Sequence, residues 1–126
     1  MAKLIKVFSV VFVLLIIACK EQSQNIVDIR VSDLQTVLST HSEIQLVDVR
    51  TPEECKRGMI NKAMNIDVTS DNFEEKALKL LKVDTPVYLY CRSGGRSIIA
   101  AEMLTEKGFK VYNLEGGYLN WKKENE

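Results

Sequence analysis

The 126-residue chain has no excess charge of either sign: 17 lysines and arginines face 17 aspartates and glutamates, with no basic block in the body of the sequence. Without a positive patch there is no electrostatic footprint for nucleic acid, so no nucleic-acid partner is expected. It has a single histidine, His41, and three cysteines, Cys19, Cys55 and Cys91, spaced 36 residues apart. No close cysteine pair and no histidine cluster exist to build a zinc site, so no metal is expected. Apolar runs of membrane-spanning length are missing too. Residues 7–18, broken only by Ser9, cover about 18 Å as helix against the roughly 30 Å hydrocarbon core of a bilayer. No internal repeat or low-complexity tract is present, and the length suits one domain with its own core.

What is there begins with a compositional break near residue 19. Lys3 and Lys6 precede the apolar run, and the polar stretch 20–25 follows Cys19. That order is the order of a secretory signal. Ile16-Ile17-Ala18-Cys19 resembles a bacterial lipobox, in which the cysteine is lipid-modified and becomes N-terminal. The resemblance implies a signal peptide over 1–18, lipidation on Cys19, a tether over 19–25 and a globular domain over 26–124, exported and held at the cell envelope by lipid. An uncleaved anchor and ordinary signal cleavage are the alternatives. Losing Lys3 and Lys6 from the 17 basic groups leaves 15 against 17 acidic ones, an ordinary balance for a soluble domain.

The remaining chain alternates strand and helix patterns. Residues 26–30 alternate apolar and polar, and Ser32 is placed to cap a helix carrying Leu34, Val37 and Leu38. Residues 44–49 read as a strand, after which Thr51-Pro52-Glu53-Glu54 opens a short helix with proline first and acids in its first turn. A short strand over 64–66 follows, then a helix capped by Asp71 or Asn72 and burying Phe73, Ala77, Leu78, Leu80 and Leu81. Val87-Tyr88-Leu89-Tyr90 is a continuous apolar run, the pattern of a central strand covered on both faces. A helix over about 97–107 with Ile98, Ala101, Met103 and Leu104 inward, a strand over 110–114, a Gly116-Gly117 turn and a closing helix over 118–123 docked by Trp121 complete the chain. This alternation predicts an α/β fold, a central mainly parallel sheet with helices on both faces, whose sites form at the carboxyl ends of strands.

Cys91 ends the most apolar of these strands, and Arg92-Ser93-Gly94-Gly95-Arg96-Ser97 follow before the next helix. The glycines permit backbone N–H groups to turn inward, and the helix N-terminus adds its own donors and partial positive charge. With Arg92 and Arg96 beside it, the geometry favours a thiolate under a bound anion. The alternative is a small buried hydrophobe next to a glycine turn.

At these residues the chain resembles the rhodanese-homology domains. Asp48-Val49-Arg50-Thr51-Pro52-Glu53-Glu54 with Gly58-Met59-Ile60 and Ala63-Met64-Asn65-Ile66 is similar to their first signature, Cys91 to Ser97 to their active-site loop, and Leu114-Glu115-Gly116-Gly117 with Trp121 to their C-terminal signature. The resemblance implies a single-domain sulfurtransferase without a cofactor. Its cysteine takes the outer sulfur of an anionic donor such as thiosulfate and passes it, as a persulfide, to cyanide, a thiol or a protein acceptor. Carried onto this chain, Cys91 is the nucleophile. The backbone of Arg92, Ser93, Gly94, Gly95, Arg96 and Ser97 is the cradle, with the Arg92 and Arg96 side chains available to the donor.

Asp48, Arg50 and Glu54 are read as structural support, Arg50 and Glu54 as an ion pair ordering the short helix. His41, in a loop, is read as uninvolved. Met59 and Lys62 depart from the histidine and glycine frequent in such domains, and Cys55 from an aromatic. Cys55 is either a resolving thiol for Cys91 or a small packing residue, with the latter favoured.

Two competing functions follow. A phosphatase or arsenate reductase of the same fold would need five residues between cysteine and arginine, whereas four stand between Cys91 and Arg96. A lipid-anchored sulfur carrier or binding module that does not turn over has no sequence feature against it except Cys91 itself.

Overall fold

The computed structural model describes residues 26–126. The expected signal peptide, the lipidation cysteine Cys19 and the tether lie outside the described residues. In chain order the elements are β1 (Ile26–Ile29), α1 (Val31–Thr40), β2 (Gln45–Asp48), α2 (Pro52–Lys56), β3 (Met64–Asn65), α3 (Phe73–Leu80), β4 (Val87–Tyr90), α4 (Gly95–Glu106), β5 (Val111–Leu114) and α5 (Gly117–Asn125). The strands form one sheet in the order β1-β5-β4-β2-β3, every pair parallel.

β4 lies in the middle, and its two-residue period divides the core. Val87, Leu89 and Cys91 face a cluster with Phe73 and Ala77 of α3 and Ala100, Ala101 and Leu104 of α4. Tyr88 and Tyr90 face the other layer, with Leu34 of α1 and Tyr118 and Trp121 of α5. Burial on both sides is what the unbroken apolar run requires, and it fixes the register, because a one-residue slip would turn Cys91 to the opposite layer.

Several local expectations are corrected. Ser32 does not cap α1; the helix begins at Val31 after Arg30, whose N–H donates to the Asp33 carboxylate at 3.0 Å. In α3 the buried stripe is Phe73 and Ala77, continued by Leu81, whereas Leu78 and Leu80 are exposed. Five inward residues in so short a helix would occupy more than one face, and only the four-residue spacing points at the sheet. α4 starts two residues before the expected position, at Gly95, and buries Ser97, Ala100, Ala101 and Leu104. Ile98 is 48% exposed, because the buried stripe passes through residue 97. Gly116-Gly117 is not a free turn: Gly116 caps α5 at φ 73 and Gly117 is its first residue. Lys62, where glycine is frequent in related domains, adopts φ 70, the left-handed region that favours glycine.

Candidate active site

The order of the sheet creates the site. β2 and β4 are neighbours, with Asp48 level with Tyr90, yet the chain leaving β2 crosses to β3 on one side and the chain leaving β4 crosses to β5 on the other. The two exits diverge and open a crevice at the carboxyl ends of the strands. Residues 48–54 enter it from β2 and residues 91–97 from β4, so side chains distant in sequence meet there.

Cys91 sits at the floor of the loop that follows β4. The Gly94 N–H donates to its Sγ at 3.0 Å, a geometry reached with Gly94 at φ 122. The thiol donates to the Ser97 hydroxyl at 3.5 Å, and that hydroxyl donates to the Gly94 carbonyl at 3.1 Å. Burial pushes the Cys91 thiol up, but hydrogen bonds from the Ser97 hydroxyl and from the backbone of Ser97, Gly94 and Ser93 outweigh it and hold the thiol below its ordinary range. Backbone and hydroxyl donors dominate here; the sequence suggests the inward N–H groups together with the charges of Arg92 and Arg96, and the arginines are not among the leading causes. The sulfur is not open: Cys91 is 1% exposed, while Arg92, Ser93 and Gly95 above it are exposed.

The inward amides have a matching set of outward carbonyls. The Cys91 carbonyl accepts from the Tyr118 N–H at 2.8 Å and the Arg92 carbonyl from the Leu119 N–H at 3.0 Å. The first turn of α5 therefore holds the outer side of the loop and spends its otherwise unpaired donors there. Gly117 makes this possible, because a Cβ on it would stand 2.5 Å from the Cys91 oxygen and 2.7 Å from that of Arg92. The sequence reading placed Gly116-Gly117 in a turn and missed this role; the Gly-Gly pair ahead of an aromatic was the available signal.

Asp48 and Arg50 form a buried pair behind the site. Arg50 Nη2 meets Asp48 Oδ2 at 2.6 Å and Nε meets Oδ1 at 2.9 Å, with Asp48 fully buried and Arg50 4% exposed. Arg50 also donates to the Gly58 carbonyl at 2.7 Å and lies over the Tyr118 ring at 4.1 Å. Burial pulls the Arg50 pKa down, but the Asp48 carboxylate more than restores it and raises it overall. This links β2 to the helix that backs the loop.

The expected Arg50–Glu54 pair does not form. Arg50 is taken by Asp48, and Glu54 binds Arg96 instead, Nη1 to Oε1 at 2.6 Å and Nη2 to Oε2 at 2.8 Å. The Arg96 guanidinium holds the Glu54 carboxyl down to about 2. Glu54 also completes the capping box of α2, its N–H donating to the Thr51 hydroxyl at 3.3 Å and its Oε1 accepting from the Thr51 N–H at 3.4 Å. Arg96 is consequently engaged by protein, whereas Arg92 is exposed and has no ion pair among the described residues.

Cys55 is half-buried and, like the buried Cys91, a free thiol. Burial, reinforced by the Asp48 carboxylate, pushes the Cys55 thiol up to about 11. His41 is exposed at the end of α1, away from the crevice. Among the described residues no group of three or more His, Cys, Asp or Glu side chains is placed to hold a metal ion.

Comparison with known proteins fits this geometry. The sequence profile of the Rhodanese-like domain family matches residues 30–124. A sulfurtransferase of Allochromatium vinosum is 35% identical over 85 residues, covering 67% of this chain and 77% of its own. Thiosulfate sulfurtransferase 18 of Arabidopsis thaliana is 33% identical over 117 residues, covering 83% of this chain and 85% of its own. The crystal structure of a rhodanese-related protein from Thermoplasma volcanium superposes with a TM-score of 0.68 at 31% identity, over 78% of this chain and 92% of that one.

Proposed function

The chain belongs to the rhodanese-like domain family, and from that premise we propose that it is a sulfurtransferase that carries sulfane sulfur as a persulfide on Cys91. The observation that carries the reading is the placement of the Cys91 sulfur: at the end of the central strand, hydrogen-bonded by the Gly94 N–H, its pKa held down by the loop's own donors. A nucleophile activated in this way needs no adjacent histidine.

Ionisation is a local exchange of hydrogen bonds. When Cys91 loses its proton, the Ser97 hydroxyl turns from the Gly94 carbonyl to the sulfur it already lies 3.5 Å from. With thiosulfate as donor, the thiolate attacks the outer sulfur and a new S–S bond forms. The old S–S bond breaks with its electron pair leaving on sulfite, so a persulfide anion remains on Cys91. The inward amides of Ser93, Gly94 and Ser97 meet the charge that develops there. Cyanide, a thiol or a protein thiolate then takes the outer sulfur and returns the Cys91 thiolate.

Access requires the 93–95 arch to yield, because Cys91 is 1% exposed. Nothing lies within 4 Å of where a Cβ would stand on Gly94 or Gly95, so the arch has open space outside it and flexible residues within it. Sulfane donors and thiophilic acceptors are the partners this chemistry needs. The apolar run 7–18 and Cys19 support export and lipid attachment at the bacterial envelope, facing the periplasm or exterior, with labelled fatty acid incorporated at Cys19 and lost in Cys19→Ala as the test.

The same 1% exposure favours the second reading, a sulfur carrier or binding module without turnover. Steady-state transfer from thiosulfate to cyanide, abolished in Cys91→Ser, supports the enzyme. A persulfide that forms once and is not discharged by any acceptor supports the carrier.

A further inference from the structure

The loop carries two arginines, but the structure makes only one of them available to a donor. Arg96 and Glu54 are joined by two short parallel hydrogen bonds, the strongest geometry for this pair. The carboxylate has little freedom to leave, since Thr51 donates to its Oε1 from both the backbone N–H, at 3.4 Å, and the hydroxyl, at 3.1 Å. The pair is 29% and 27% exposed, so it stands at the wall of the crevice where screening by solvent is incomplete. With Cys91 ionised, the neighbourhood then contains one thiolate, one neutral Glu54–Arg96 pair and, among the described residues, one guanidinium without an ion pair, Arg92.

We propose that Glu54 is a specificity-determining residue that, by sequestering Arg96, turns the site toward sulfane donors of single negative charge and against dianions such as thiosulfate. The proposal rests on the sulfurtransferase reading above. A dianion approaching Cys91 meets the thiolate and one unpaired cation, Arg92, and gains nothing from the neutral Glu54–Arg96 pair. A freed Arg96 would attract a monoanion of the same shape about half as strongly as a dianion, so its sequestration disfavours the dianion more. Methanethiosulfonate anion is such a probe, with a methyl group in place of one thiosulfate oxygen. Its outer sulfur is attacked in the same way, the S–S bond breaks, and methanesulfinate departs with the electron pair.

The test compares kcat/KM for the two donors, with cyanide as acceptor, in the full chain and in Glu54→Gln. Glutamine keeps an oxygen for the Thr51 hydroxyl but removes the charge and releases Arg96. The expected result is a fall of about tenfold in KM for thiosulfate, a change of less than about threefold for methanethiosulfonate, and little change in kcat. In the double variant Glu54→Gln/Arg96→Gln both charges are gone, so the ratio of the two donors is expected to return to within about threefold of the parent. A donor ratio that Glu54→Gln leaves unchanged overturns the proposal. Selective loss of thiosulfate use in the double variant does so as well, since it would mean that Arg96 itself grips the donor. Mass spectrometry on the same samples separates the two levels: if neither donor adds sulfur to Cys91 in any form, the sulfurtransferase reading fails and the specificity proposal falls with it.

Discussion

The Cβ position of Gly117 lies 2.5 Å from the carbonyl oxygen of Cys91, so the residue that begins the last helix and the residue that follows the central strand are in backbone contact. Gly117 also has φ +58. Gly117→Ala is expected to lose about 2–4 kcal/mol from steric displacement and left-handed backbone together. Because the displaced helix no longer holds the Cys91 and Arg92 carbonyls outward, the Cys91 thiol should titrate higher. Urea unfolding reads the first effect and the pH dependence of iodoacetamide alkylation the second. A variant with lower stability but the parent alkylation profile would contradict the positioning role.

Cys91 makes stability depend on pH with a defined sign. Its thiol is lowered in the folded state from a reference of 9.0, so between the folded pKa and about 9 the unfolded chain binds more protons and stability rises with pH. The contribution is fully present above the unfolded pKa and is lost as pH falls through the folded one. Urea midpoints of the parent and Cys91→Ala, compared from about pH 6 to about pH 9, should therefore diverge in favour of the parent as pH rises. Ser97→Ala, which removes the largest of the stabilising hydrogen bonds, should reduce that divergence.

Much of this arrangement was legible in the sequence, and the remainder was not for definite reasons. The apolar run 87–90, closed by a cysteine and a glycine-arginine loop, made the central strand and the place of Cys91 at its exit legible, because a strand covered on both faces has few other solutions. The partner of Glu54 was not legible. Spacing along the chain favours Arg50, but Arg50 turns back onto Asp48, and Arg96 arrives on the first turn of α4, after the neighbouring strand, a meeting decided by strand order. The same applies to Gly117: its role is a backbone contact with residue 91, invisible to any local pattern. Leu78, Leu80 and Ile98 read as inward when apolarity is taken without helix phase, and the observed stripes leave them exposed.

Asp48→Asn leaves the Arg50 guanidinium, 4% exposed, without its counter-charge. Breaking a buried pair from one side costs about 3–5 kcal/mol. The expected outcome is a loss of that order in urea unfolding. A loss below about 1 kcal/mol would show that the Gly58 carbonyl and the Tyr118 ring suffice to hold Arg50.

Cys55 should be a poor nucleophile near neutrality, its thiol being pushed up to about 11 by burial and the Asp48 charge. Alkylation at pH 7 is expected to modify Cys91 well before Cys55 once the arch opens. Oxidised protein is expected to show no Cys55–Cys91 crosslink in peptide mass maps. A crosslink formed in high yield would instead make Cys55 a resolving thiol.

The central claim is that Cys91 accepts sulfane sulfur despite lying under its loop. Intact-mass analysis after incubation with thiosulfate tests it most directly. The account predicts a gain of one sulfur atom that maps to Cys91, disappears on adding cyanide, and is absent in Cys91→Ser. Failure of thiosulfate and methanethiosulfonate alike to add sulfur to the folded protein, or the same gain in the serine variant, would contradict it.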